Sequence, residues 1–298
     1  TTTLRALERE LGESVLRGEP KGKLTRPIKV VHWLSDVFGF SPRANSENEL
    51  IERIREDRHP IVAIDNCHNL FLRKVGGFDG WEAFIRIVNA TCDNVLWVLA
   101  VNQAAWDYLH NASGRVHYFR RVLELPSWSE DEIRRLLMTR MRRARYRVSF
   151  SDLVVTELEG TSLSAQIGRT AQGYFRLLWD STGGNPRLAS HFWLDSLVPD
   201  GEREVRVHLF STPPISELER LPDNIVFVLT AITEHENLSI EEVAQTMNLP
   251  HDFCAFACRF CLERGLLSRD GETQRLRLSQ RWQRSVLRFL KRKHMLRD

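Results

Sequence analysis

The chain has 298 residues, of which 42% are hydrophobic and 27% charged, and a formal net charge of +3. These values fit an ordinary globular protein with room for two or three domains, and so small a net charge does not by itself imply nucleic acid. No window approaches the ~18 apolar residues of a membrane span. The Thr-Thr-Thr start lacks the basic and apolar regions of a signal peptide. The odd cysteine count of 5 does not suggest a disulfide framework. The expectation is a reducing, cytoplasmic setting.

Leu4, Leu7, Leu11 and Val15 recur at helical spacing and predict a helix from Thr1 to Arg17. Gly18 to Thr25 comes near the Gly-x4-Gly-Lys-Ser/Thr spacing of a phosphate-binding loop. It falls one residue short between Gly18 and Gly22, and Leu24 stands where a hydroxyl is needed, so it reads as a flexible basic loop. No strand is expected between Arg17 and Pro27. Ile28 to Phe40 reads as a helix stopped by Gly39, and Ser46 with Glu49 as the capping box of another.

Ile61 to Ile64 is an unbroken apolar run ending in Asp65. Such a run predicts a strand buried on both faces of a parallel sheet, and an acid at its carboxyl end sits where doubly wound sheets bind ligands. His68 follows three residues on, as a cap, a base or a ligand. After a helix from Trp81 to Asn89 comes a second apolar run, Val95 to Val101, ending in Asn102. A further strand is expected at Arg121 to Leu125. Ser129 with Glu132 again looks like a capping box. The helix from Ile133 to Arg147 carries seven arginines, read either as a solvated face or as a contact with phosphates, acidic protein or nucleic acid.

Gln172 to Trp179 reads as a helix, stopped by Gly183-Gly184. Asn185-Pro186-Arg187 then opens the next helix, since proline suits a first turn whose N–H has no helical partner. Pro199 to Pro214 reads as a boundary with a short strand at Val205 to Phe210. Beyond Pro222, three helical patterns and a hairpin through Asp270-Gly271 read as a winged helix. Cys254, Cys258 and Cys261 fall on one face of a helix, where buried packing is a better account than a metal cluster.

The strand ending in Asp65, the next strand ending in Asn102 and the Gly-Asn-Pro-Arg turn together resemble P-loop NTPases of the AAA+ and STAND kind. The resemblance implies an α/β, parallel-sheet core over residues 1–127, a helical lid over 128–198, a linker over 199–221 and a winged-helix domain over 222–298. It implies ATP and Mg²⁺ as cofactors. Asp65 takes the Walker B place on the metal, Asn102 that of sensor 1, and Arg187 that of sensor 2. Arg120 and Arg121 match the arginine finger of a homo-oligomer. The opening helix is similar to the one that follows a Walker A loop. That loop is not in this sequence, so the resemblance implies a strand and Gly-x4-Gly-Lys encoded upstream, with Thr1 and Thr2 as nucleotide contacts. Most relatives carry glutamate after the Walker B aspartate; here it is Asn66, which cannot take a proton. The function implied is an ATPase that hydrolyses slowly and acts as a conformational switch.

Two other classes stay open, a DNA-binding winged-helix regulator and a degenerate NTPase scaffold. The recognition helix carries Phe253, Phe256 and Phe260 but only Arg259 and Arg264 as basic residues, so a protein partner is expected there rather than base readout. Arg288, Lys291, Arg292 and Lys293 leave nonspecific nucleic-acid contact open.

Overall fold

The structure is a computed structural model and describes residues 2–57, 59–113, 119–153 and 163–296. It divides into two compact units. One comprises Thr1–Arg121, Pro222–Leu278 and Leu290–Asp298; the other comprises Val122–Leu221 and Ser279–Phe289.

In the first unit, α1 (Thr2–Leu11) is shorter than its periodicity suggests. Gly12, at φ +61°, ends it, and a short turn leads into β1 (Val15–Gly18). The helix expected through Arg17 is therefore corrected. Leu11 and Val15 keep the i, i+4 spacing across a turn, and four residues of strand are too few to show a period of two. The chain continues through α2 (Pro27–Val37), α3 (Glu47–Glu56), β2 (Ile61–Ile64), a 3₁₀ turn (Cys67–Leu70), α4 (Asp79–Thr91), β3 (Leu96–Leu99) and α5 (Gln103–Ser113).

The three strands form a parallel sheet in the order β1-β2-β3. Central β2 is covered on both sides, as its apolar run predicts. Val62 and Ile64 join a core with Val30, Leu34, Leu50, Phe84 and Ile87 from α2, α3 and α4, while Ala63 packs with Leu4 of α1 and Val15. Gly18 lies where a Cβ would stand 2.8 Å from Ile64 Cδ1 and 3.0 Å from Val37 Cγ2, so the end of β1 fits only glycine without a shift of its neighbours.

The expected strand at Arg121 to Leu125 is not formed. These residues have no regular structure, and Val122, Leu123 and Leu125 are 51%, 71% and 73% exposed. An extended segment becomes a strand only where a neighbour takes up its N–H and C=O groups, and no described strand pairs with this one.

The second unit contains α6 (Glu130–Arg143), β4 (Arg147–Ser149), α7 (Leu163–Thr182), α8 (Pro186–Asp195), β5 (Leu197–Pro199), β6 (Glu204–Val207) and α9 (Ile215–Glu219). The Ser129–Glu132 capping box opens α6 as expected. Ile133, Leu137, Phe175, Leu178, Phe192, Trp193, Val205 and Val207 share its core. A sheet in the order β4-β6-β5 has β6 within the stretch read as a boundary, with β5 ending at the start of that stretch. Of its strands only β6 was expected; β4 and β5 have three residues each.

The chain returns to the first unit with α10 (Asp223–His235), α11 (Ile240–Met247), α12 (His251–Glu263) and the hairpin of β7 (Leu267–Arg269) and β8 (Leu276–Leu278). α13 (Gln280–Arg292) follows. α10 packs on α5 as well as on α11, α12 and β8. Cys254, Cys258 and Cys261 are all buried on α12. The fold is thus α/β with a parallel sheet and a C-terminal winged helix, the class expected from the sequence.

Candidate functional site

β2 delivers Asp65 to the carboxyl end of the parallel sheet. The ladder runs past it: the Asp65 N–H donates to Gly18 O (2.9 Å), the Ala100 N–H to Ile64 O (2.9 Å) and the Cys67 N–H to Ala100 O (2.9 Å). Asp65 is 2% exposed. Its Oδ1 accepts the Asn66 N–H at 3.0 Å, and its Oδ2 lies 3.7 Å from an Arg17 guanidinium nitrogen. Arg17 comes from β1 and also approaches Glu8 at 3.5 Å.

Asn66 sits at φ 52°, ψ 41°, a left-handed turn that asparagine tolerates better than most residues. Its side-chain Nδ2 donates to Glu19 Oε1, just beyond β1, at 2.6 Å. The 3₁₀ turn that follows buries Cys67, His68, Asn69 and Leu70. Burial pushes the Cys67 thiol far above its ordinary range, so it is no nucleophile.

Asn102 follows β3. Its Oδ1 caps α5 by accepting the Ala105 N–H at 2.8 Å, and its Nδ2 donates to Glu236 Oε2 at 3.1 Å. The same carboxylate oxygen lies 3.2 Å from His68 Nε2. That contact is within ion-pair distance but not aligned as a hydrogen bond. Glu236, in the turn after α10, thereby brings Asn102 and His68 together.

A second layer of polar groups surrounds this contact. Lys23 donates to His68 O (3.1 Å), Asn69 Oδ1 (2.9 Å) and His235 O (2.9 Å). The reading of Gly18 to Thr25 as a flexible basic loop is corrected at this residue, because its ammonium is held by oxygens from two segments distant in sequence. Lys23 is only half-buried as a residue, yet the enclosure of its ammonium lowers its pKa to about 7; the carboxylates of Glu242 and Glu236 oppose that shift and Arg275 adds to it. Burial lowers His68 to about 4, against the pull of Glu236. His235 is driven well below its ordinary value by burial, then by Lys23 and Arg73. Its Nε2 accepts the Arg73 N–H at 3.3 Å. Burial raises Glu234 to about 7 although Arg73 stands 2.9 Å away.

No family model matches this sequence, and no curated protein matches it. Among solved structures, the ORC2 protein of Aeropyrum pernix in its ADPNP–ADP complexes is 14% identical, with 97% of this chain and 82% of that one covered and a TM-score of 0.36. Cdc6p from Pyrobaculum aerophilum is 14% identical, with 98% and 84% covered and a TM-score of 0.40. The ADP form of the Aeropyrum protein is 11% identical, with 98% and 82% covered and a TM-score of 0.34. These are loose likenesses across nearly the whole chain.

Thr1 is outside the described residues, and Thr2 is exposed at the start of α1. Arg120 is exposed and lies 3.6 Å from the equally exposed Asp93, a pair that water and salt screen; Arg121 is exposed beside it. Arg187 belongs to the second unit. There Asn185 Oδ1 caps α8 by accepting the Arg187 and Leu188 N–H groups at 2.9 and 3.2 Å. With its amide oxygen turned inward, Gln280 accepts from Arg187 Nε at 2.7 Å and from a terminal nitrogen at 3.1 Å.

The described residues contain no cluster of three metal-ligating side chains. One carboxylate such as Asp65 fits a Mg²⁺ ion that takes its other ligands from phosphates and water, and does not fit an all-protein cage. No described helix is long and apolar enough to cross a membrane. Sequence reasoning missed Arg17, Lys23, His235 and Glu236. The one visible hint was the polar run Glu234 to Asn237 closing an otherwise apolar helix.

Proposed function

We propose that this chain is the nucleotide-responsive part of an AAA+ or STAND-type ATPase. One observation carries the reading: Asp65 directly follows β2 and Asn102 lies three residues beyond β3, at the same end of two adjacent parallel strands. That end is where open α/β sheets bind ligands. A carboxylate and an amide there match a metal-bridged phosphate and a group that senses it. Asp65 would hold Mg²⁺ through water, and the ion would offset phosphate charge. Asn102 would bind the terminal phosphate, and Arg187 would close a lid formed by residues 128–198. Arg120 and Arg121 would face a neighbouring copy. Thr1 and Thr2 would follow the phosphate loop. Asn66 can orient water but cannot take its proton, so turnover would be slow and the protein would act as a switch. A protein partner would dock on the winged helix, where Phe253 and Phe256 are 37% and 69% exposed.

Mg²⁺-dependent ATP binding by the full-length gene product tests this. Asp65→Ala should abolish the Mg²⁺ dependence, and Asn66→Glu should raise turnover. Fast turnover untouched by Asp65→Ala would refute it. A scaffold without hydrolysis is the second reading. It is favoured by the engagement of both Asn66 and Asn102 with carboxylates, and complete absence of ATP binding would support it.

A further inference from the structure

We infer that Glu236 is an internal competitor for Asn102, through which the winged helix controls access of nucleotide phosphate to the sensing amide. The inference rests on the nucleotide reading of Asn102 given above.

The orientation of Asn102 is not free. Because Oδ1 is committed to the Ala105 N–H at 2.8 Å, Nδ2 must face the carboxylate of Glu236, 3.1 Å away. The amide has a second hydrogen, but a phosphate brought against it would meet the Glu236 charge, and like charges a few ångströms apart repel. Glu236 also approaches the imidazole of His68, which is 1% exposed, at 3.2 Å. One carboxylate oxygen therefore accepts from Asn102, after β3, and stands against His68, after β2.

Glu236 is built to leave as well as to bind. Its side chain is 46% exposed, unlike buried Glu234, so releasing it to water strands no charge in the interior. Its backbone sits at φ 62°, ψ −39°, outside the regions favoured by a non-glycine residue. The turn is kept there by its neighbours. Lys23 and the Asn237 N–H both donate to His235 O, at 2.9 and 2.7 Å, and Arg275 Nε donates to Asn237 Oδ1 at 2.6 Å. Strained backbone over-determined by its surroundings is characteristic of switch points. Arg275 also pairs with Glu242, whose carboxylate closes the capping box of α11. The contact on Asn102 is thus wired to α10, α11 and the β7–β8 hairpin turn of the winged helix. A shift of that subdomain frees the amide, and a phosphate on the amide displaces the turn.

The full-length gene product and its Glu236→Gln and Glu236→Ala variants would be titrated with Mg²⁺-ATP by calorimetry. Glu236→Ala removes both charge and acceptor and should bind tighter than the parent, about ten-fold for a contact closed about nine-tenths of the time; Glu236→Gln removes the charge but keeps an acceptor and should gain less. The gain should shrink in an Asn102→Ala background; a gain that persists there unchanged overturns competition for this amide. Unchanged or weaker affinity in both Glu236 variants, with a parent that binds ATP, overturns the inference and leaves the nucleotide reading standing. A parent that binds no ATP refutes that reading and the inference with it. Should the variants fail to fold, amide exchange in the parent decides. ATP should speed exchange at residues 235–238, and exchange insensitive to ATP overturns the inference.

Discussion

The buried polar cluster predicts an acid response whose slope can be dissected residue by residue. His68 has a folded pKa of about 4 against an ordinary 6.5, because burial disfavours its cation. A depressed folded pKa contributes stability that is present above pH 6.5 and lost as pH falls toward about 4. His235 acts with the same sign. Glu234 acts against them: its folded value of about 7 lies above the ordinary 4.5. Its contribution is complete below pH 4.5 and lost as pH rises through about 7. At about pH 5.5 the unfolded chain therefore holds more protons on the two histidines than the folded chain does, while the folded chain holds more on Glu234. Two histidines outweigh one carboxyl, so the unfolded state binds more protons and these three groups lose stability on acidification, on the order of 1 kcal/mol per pH unit. Replacing His68 with Gln should flatten their slope, and replacing Glu234 with Gln should steepen it. Urea unfolding at intervals from about pH 5 to 6 measures the difference, since other groups are common to all three proteins. Identical slopes in parent, His68→Gln and Glu234→Gln would refute the assignment of these buried protonation states.

Further outcomes follow from packing and caps. Gly18→Ala places a Cβ 2.8 Å from Ile64 Cδ1 and should destabilise by about 1–3 kcal/mol in urea unfolding, the usual cost of overpacking; a neutral result would show that β1 can move. Asn185→Ala removes the acceptor of two N–H groups at the start of α8 and should cost about 1 kcal/mol, measured the same way. Burial raises the thiols of Cys258 and Cys261 to about 12 each. Mass spectrometry should find iodoacetamide labelling half-buried Cys92 first and these two only on unfolding; rapid labelling of either would contradict their burial.

Local physics was legible in the chain. β2 was visible because an unbroken apolar run ending in Asp65 has few other uses. The Ser46 and Ser129 caps act within three residues, so the side chain and the N–H it serves are neighbours in sequence. The winged helix was legible for the same reason, with helices, turns and hairpin each announcing themselves locally. Only the tertiary structure decided the rest. Val15 to Gly18 became a strand because Ile61 to Ile64 offered it partners, whereas Arg121 to Leu125, more apolar in pattern, stayed irregular without one. Lys23 meets His235 across 212 positions and Asn102 meets Glu236 across 134. No periodicity encodes such encounters, because they depend on where folded elements come to rest. Asp65 and Asn102 could be singled out from residue type and strand ends, but the carboxylate that occupies Asn102 became visible only once α10 had packed on α5.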